Sequence, residues 1–199
     1  MSVSVNNIPL KQNGFSLLES VIAIVLTAIV MVGMSTFMFP AVKQIGEPVA
    51  QMRSAEIANA ALQEVFSRSF DQNSDHAGGV VRCGELDPAE PLVPNSCTAL
   101  AALGKDAGET TKIFFNDVDD FITGNNNVCN ANADFVVPST IIGTAPAIYD
   151  NFSLCIQVTY PVNNLDGTAN NGTLLKHVNV VVKTPQGSDY SFSAYRSNF

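Results

Sequence analysis

The sequence predicts an α+β fold: a long N-terminal α-helix whose first half spans a membrane, packed by its second half on a small antiparallel β-sheet with disulfide-stapled loops. Three observations carry this expectation. Of 199 residues, 10 are basic and 18 acidic, yet from Gln12 to Val42 the one charged side chain is Glu19. From Pro48 apolar residues recur at three- and four-residue spacing, and near the C-terminus two period-two patterns stand among four cysteines.

The apolar segment comes first. Eighteen of the 25 residues from Phe15 to Phe39 are apolar, with only Thr27 and Gly33 interrupting the run from Val21 to Met34. As one helix it spans roughly the ~30 Å hydrocarbon core of a bilayer. A secretory signal peptide would end in a small-x-small cleavage site, and Ser35-Thr36-Phe37-Met38-Phe39-Pro40 offers none. A plain signal anchor, with Lys11 holding the N-terminus in the cytoplasm, leaves Glu19 without a purpose. A carboxylate in an apolar helix costs about 2.5–3.5 kcal/mol at the bilayer centre and calls for a partner. Cleavage between Gly14 and Phe15 would supply one, an α-amino group a helical turn from Glu19.

Lys11-Gln12-Asn13-Gly14-Phe15-Ser16-Leu17-Leu18-Glu19 followed by an apolar run resembles the cleavage and methylation motif of type IV pilins and type II secretion pseudopilins. The resemblance implies a pilin-like fold and processing by a prepilin peptidase/methyltransferase. Gly14 is then the last leader residue, Phe15 the N-methylated start of the mature chain, and Glu19 the residue that pairs with a neighbouring subunit's amino terminus during assembly. It further implies residence in the bacterial inner membrane as a single-pass protein with a periplasmic domain, then in a pilus at the cell surface through contacts with other pilin subunits. The leader departs from the family in having one basic side chain, and the proline many pilins carry is absent at Thr36, while Pro40 and Pro48 come later.

The expected organisation is a leader over 1–14, a transmembrane and assembly helix over 15–39, an amphipathic continuation over 40–70 and a globular domain over 71–199. In the continuation Met52, Ala55, Ala58, Leu62, Val65 and Phe66 form the apolar face. Pro40, Gly46 and Pro48 are expected to kink or melt the helix between its halves. Asp71 to Gly79 is a turn-forming stretch that opens a loop-rich middle region. Phe152, Leu154, Ile156, Val158 and Tyr160 alternate with polar residues as a strand. Leu174, Val178, Val180 and Val182, a turn at Pro185-Gln186-Gly187, and Tyr190, Phe192 and Ala194 read as a hairpin.

Cys83, Cys97, Cys129 and Cys155 are even in number, form no CxxC and stand beside only two histidines, so disulfides in an oxidising compartment are expected in preference to zinc. Three pairings exist. Cys83–Cys97 with Cys129–Cys155 is favoured because short sequential loops close most easily, though loop entropy separates the pairings by only about a kcal/mol. Cys155, on the polar face of its strand, is expected to tie a covering loop to the sheet.

Asn116-Asp117-Val118-Asp119-Asp120 and Asn125-Asn126-Asn127 offer oxygen ligands for calcium but lack the glycine and glutamate offsets of an EF-hand, so a solvated loop is expected. Catalytic motifs and cofactor signatures are absent, and His76 and His177 read as surface residues. Asn151-Phe152-Ser153 and Asn171-Gly172-Thr173 match the glycosylation pattern. The net charge of −8 with scattered basic residues argues against a nucleic-acid partner. Arg68 to His76 and Asp117-Val118-Asp119-Asp120-Phe121 resemble segments of minor pilins of the mannose-sensitive haemagglutinin (MSHA) pilus system, which implies a role in pilus biogenesis and attachment. The competing expectations are a type II secretion pseudopilin and a membrane-anchored periplasmic enzyme or binding module.

Overall fold

The computed structural model describes residues 14, 16–76, 79–86, 95–162 and 175–198, without the side chains of 39–45. Phe15, Leu174 and Asn171-Gly172-Thr173 lie outside the described residues. The first element is α1, Leu17–Phe66, and residues 1–48 and 49–199 form separate compact units. The backbone stays helical through Pro40, Gly46 and Pro48, so the expected melting there does not occur. Each proline removes one i→i−4 bond, a cost of about 3 kcal/mol that long helical stretches on both sides absorb.

Within the second unit α1 buries Ala50, Ser54, Ile57, Ala58, Ala61 and Val65. The buried stripe is turned from the expected one, since Met52 is 62% exposed. Four of its six members are Ala or Ser, and the Ser54 hydroxyl donates to Ala50 O at 2.8 Å. The helix ends at Phe66 and not near Phe70, because Ser69 leaves to make a parallel bridge with Asp117.

The sheet is a three-stranded antiparallel meander of β1 (Ser153–Thr159), β2 (Leu175–Lys183) and β3 (Asp189–Ser197). Leu154, Ile156 and Val158 pair with Val182, Val180 and Val178, and all six are fully buried. They form the core with Ile57, Ala58, Ala61 and Val65 of α1 and with Phe115, Val118, Phe121, Ile141 and Phe152, Ile141 coming from the short helix α2 (Pro138–Ile142). The β2–β3 turn sits at Pro185-Gln186-Gly187 as expected, and Gly187 takes the positive φ of 87° that closes it.

The outer edge of β1 is covered by loop residues. Leu154 N–H donates to Val136 O at 2.8 Å, Ile156 N–H to Thr123 Oγ1 at 3.0 Å and Val158 N–H to Asn127 Oδ1 at 2.9 Å. Three irregular segments thus occupy the place of a fourth strand and remove an exposed edge. The Cys129–Cys155 disulfide lies in the same cover, and Cys83 pairs with Cys97. Cys155 is wholly buried although it faces away from the core.

The period-two reading of β2 passed over Lys176, which shares the core-facing parity of Val178. Its side chain is completely buried. Lys176 Nζ lies 3.2 Å from Asp71 Oδ2 and 2.5 Å from Asp119 Oδ1, with the Phe70 ring centroid 4.9 Å away. Asp71 also accepts the N–H groups of Asn73 and Thr98, and Asp119 accepts the Gly104 N–H. One ammonium therefore joins the residues just after α1, the disulfide-bonded 95–98 segment, the 104 turn and β2. Replacing Lys176 by Ala strands two buried carboxylates and is expected to cost about 3–5 kcal/mol. Denaturant unfolding of the full chain in detergent micelles checks this, and an unchanged midpoint contradicts it.

Candidate functional site

The helix that bears Glu19 begins at Leu17, with Ser16 as its N-cap. Glu19 N–H donates to Ser16 Oγ at 3.3 Å and to Ser16 O at 3.0 Å, and Glu19 occupies the third helical position. A carboxylate there is favoured by the helix dipole. Gly14 and Ser16 are both exposed, so the backbone on either side of Phe15 is open to solvent.

From Leu17 to Met38 the helix is apolar and long enough to cross a membrane, about 33 Å at ~1.5 Å per residue, and none of that span is buried within the chain. Its hydroxyls are satisfied inside the helix. Ser20 Oγ donates to Ser16 O, Thr27 Oγ1 to Ala23 O and Ile24 O, Ser35 Oγ to Met31 O and Thr36 Oγ1 to Gly33 O, at 2.8–3.1 Å. The Glu19 carboxylate has no hydrogen bond or ion pair among the described residues, so its side chain is the polar group in the span still open to an external partner.

The acidic segment is not the solvated loop expected from its composition. Asp117, Asp119 and Asp120 are at most 2% exposed. Asp117 Oδ1 accepts the N–H groups of Asp119 and Asp120, and Asp120 Oδ2 accepts those of Asn116 and Asp117. The carboxylates turn inward to hold a tight bend whose amides would otherwise be unpaired. Burial pushes the Asp117 carboxyl up to about 8, with the Asp119 carboxylate adding to the rise and the Lys176 ammonium opposing it. Burial and a hydrogen bond with Glu109 push Asp120 up to about 7, against the N–H groups of Asp117 and Asn116. Asp134 behaves oppositely: the N–H groups of Ala131 and Asn125 hold its carboxyl below the usual range.

Sequence reasoning missed Lys176, and also Glu109 and Asp106, whose carboxylates gather beside Asp120. The gap at 176 in an otherwise apolar β2 face was the available signal for the first. No comparable pattern marked the other two. The histidines are partly or fully open: His76 Nδ1 lies 3.2 Å from Ser69 Oγ, and the His177 ring stands 4.9 Å from that of Tyr195.

A pH dependence follows from Asp117. Between an unfolded value of about 4 and its folded value of about 8, the native state holds a proton that the unfolded state has released. Its contribution is therefore present in acid and lost as pH rises through 8. The thermal midpoint is expected to fall from pH 5 to pH 8.5, and Asp117→Asn to flatten that slope. A midpoint that rises over this range in the parent chain contradicts the assignment.

Comparison with known proteins bears on the N-terminal segment. Residues 9–35 match the family model described as the prokaryotic N-terminal methylation motif. No curated protein and no solved structure matches the chain. The matched residues contain Gly14, Phe15, Glu19 and most of the exposed apolar span, so the chain carries the prokaryotic N-terminal methylation motif at the start of its membrane-length helix.

Proposed function

We propose that this protein is a minor structural subunit of a type IV pilus of the MSHA type, taking part in pilus biogenesis and attachment. The observation that carries the reading is the exposed apolar span Leu17–Met38 with a carboxylate in its first turn that has no partner among the described residues. Before assembly the bilayer covers that surface, with the cut between Gly14 and Phe15 on the cytoplasmic side and the 71–199 domain in the periplasm. In the filament, neighbouring helices cover it and Glu19 pairs with the methylated amine of an adjacent Phe15. A subunit out of register leaves a buried charge unmatched, which costs about 3–5 kcal/mol and sets the axial position. The role is structural and requires no cofactor. Two disulfides, each with one buried cysteine, suit a domain that works outside the cytoplasm.

Glu19→Ala is expected to leave the protein in the inner membrane while lowering its recovery in sheared pili at least about tenfold, on the cost just given. Immunoblots of membrane and pilus fractions measure this, and equal recovery of mutant and parent sinks the assembly role. A deletion strain is expected to lose piliation and surface attachment. If it keeps both and loses exoprotein secretion instead, the protein is a secretion pseudopilin.

A further inference from the structure

Lys176 is the one fully buried lysine among the described residues, and its surroundings support chemistry as well as packing, whatever the N-terminal helix does. Its Nζ and the Oδ1 of Asp119 are 2.5 Å apart, although 57 residues separate them in sequence, and neither side chain is more than 2% exposed. The carboxyl carbon of Asp119 lies one bond beyond that oxygen, at the ~3–3.5 Å of a near-attack arrangement. The rings of Phe70 and Tyr160, with centroids 4.9 and 5.8 Å from Nζ, help to exclude water. Two further groups converge on Asp119. Gly104 N–H donates to its Oδ2 at 3.1 Å, and the buried Asp117 carboxyl is hydrogen-bonded to it. Burial keeps Asp117 protonated at neutral pH, so it stands beside Asp119 as an acid.

We propose that Lys176 Nζ and Asp119 Cγ condense after folding into an intramolecular isopeptide bond, with Asp117 as the catalytic acid. In a site closed to water, an ammonium and a carboxylate in contact gain by becoming neutral, and a proton passes from Nζ to Oδ1. The freed lone pair on nitrogen attacks Cγ. Negative charge develops on Oδ2, where the Gly104 N–H already points. Asp117 gives its proton to Oδ1 and regains one from the nitrogen, the Cγ–Oδ1 bond breaks, and Oδ1 leaves as water. The nitrogen thus loses two protons, both of which depart in that water, and no oxidant or cofactor takes part. Condensation also replaces two buried charges by a neutral amide, which removes their desolvation cost. Asp71, 3.2 Å from Nζ and with each oxygen already accepting a backbone amide, remains to accept the N–H of the new bond. The ion pair brings the reactants together as the chain folds, and the bond then fixes β2 to the 117–120 bend covalently.

The test is peptide mapping by mass spectrometry of the full chain, purified in detergent micelles, then reduced and digested with chymotrypsin. Cleavage after Phe121 and Phe152 separates residues 119 and 176 in an unlinked chain. The expected product is a branched species that joins the two peptides through Asp119 and Lys176 and is lighter than their sum by one water. Asp117→Asn keeps an oxygen to accept the Asp119 and Asp120 amides, so it should fold with both disulfides formed. It should nevertheless accumulate the branched species at least about 100-fold more slowly after synthesis, the size of a lost general acid. Two separate peptides at their sequence masses in the folded parent chain overturn the proposal. So does loss of one water with the peptides still separate, which marks a succinimide at an aspartate. A branched species formed by Asp117→Asn as fast as by the parent overturns the role given to Asp117.

Discussion

The arrangement of the C-terminal unit depends on a buried ammonium. Taking Lys176, Asp71 and Asp119 out of water costs several kcal/mol per ion, and their attraction offsets this only when the remaining lone pairs are also used. They are used: Asp71 accepts amides from Asn73 and Thr98, and Asp119 accepts one from Gly104. Four segments far apart in the chain consequently share one mutual geometry. An apolar residue at 176 would bury as well but would select none of the loop positions. The ion pairs therefore contribute specificity to a region that has little regular secondary structure to supply it.

The same economy governs the sheet. Three strands have two edges, and the edge at β1 is closed by Thr123, Asn127 and Val136 from segments that are themselves irregular. Cys129–Cys155 anchors this cover to the strand it protects, and Asp134 holds the bend before Val136 by accepting the N–H groups of Asn125, Asn130 and Ala131. The loop-rich middle of the chain thus acts as a wall of the core, tied down by one disulfide and by carboxylates at its bends.

This division explains what could be read in advance. Regular elements advertise themselves by period: the apolar run, β1, and the β2–β3 hairpin with its Pro-Gln-Gly turn all lie where alternation and composition put them. What escaped depends on tertiary partners. Asp117, Asp119 and Asp120 look solvated by composition, and only an ammonium on a distant strand and the amides of their own bend make burial tolerable. Met52 satisfies the helical spacing but lies off the buried face, which Ala50, Ser54, Ile57, Ala58, Ala61 and Val65 form instead. Helix length was misjudged for a related reason, the Ser69–Asp117 bridge being a long-range contact with no local signature.

At the other end of the chain the physics is simpler and the functional content greater. Among the described residues of the span the hydroxyls are satisfied within the helix and the Glu19 carboxylate is not, and the proposed cleavage between Gly14 and Phe15 lies one turn before it. The central claim is that this bond is cut and the new amine becomes the partner of Glu19. Mass spectrometry of the N-terminal peptide, from protein purified out of its native membrane, tests it most directly. The account predicts a chain that begins at N-methylated Phe15, and an intact Met1 or a start beyond Pro40 would contradict it.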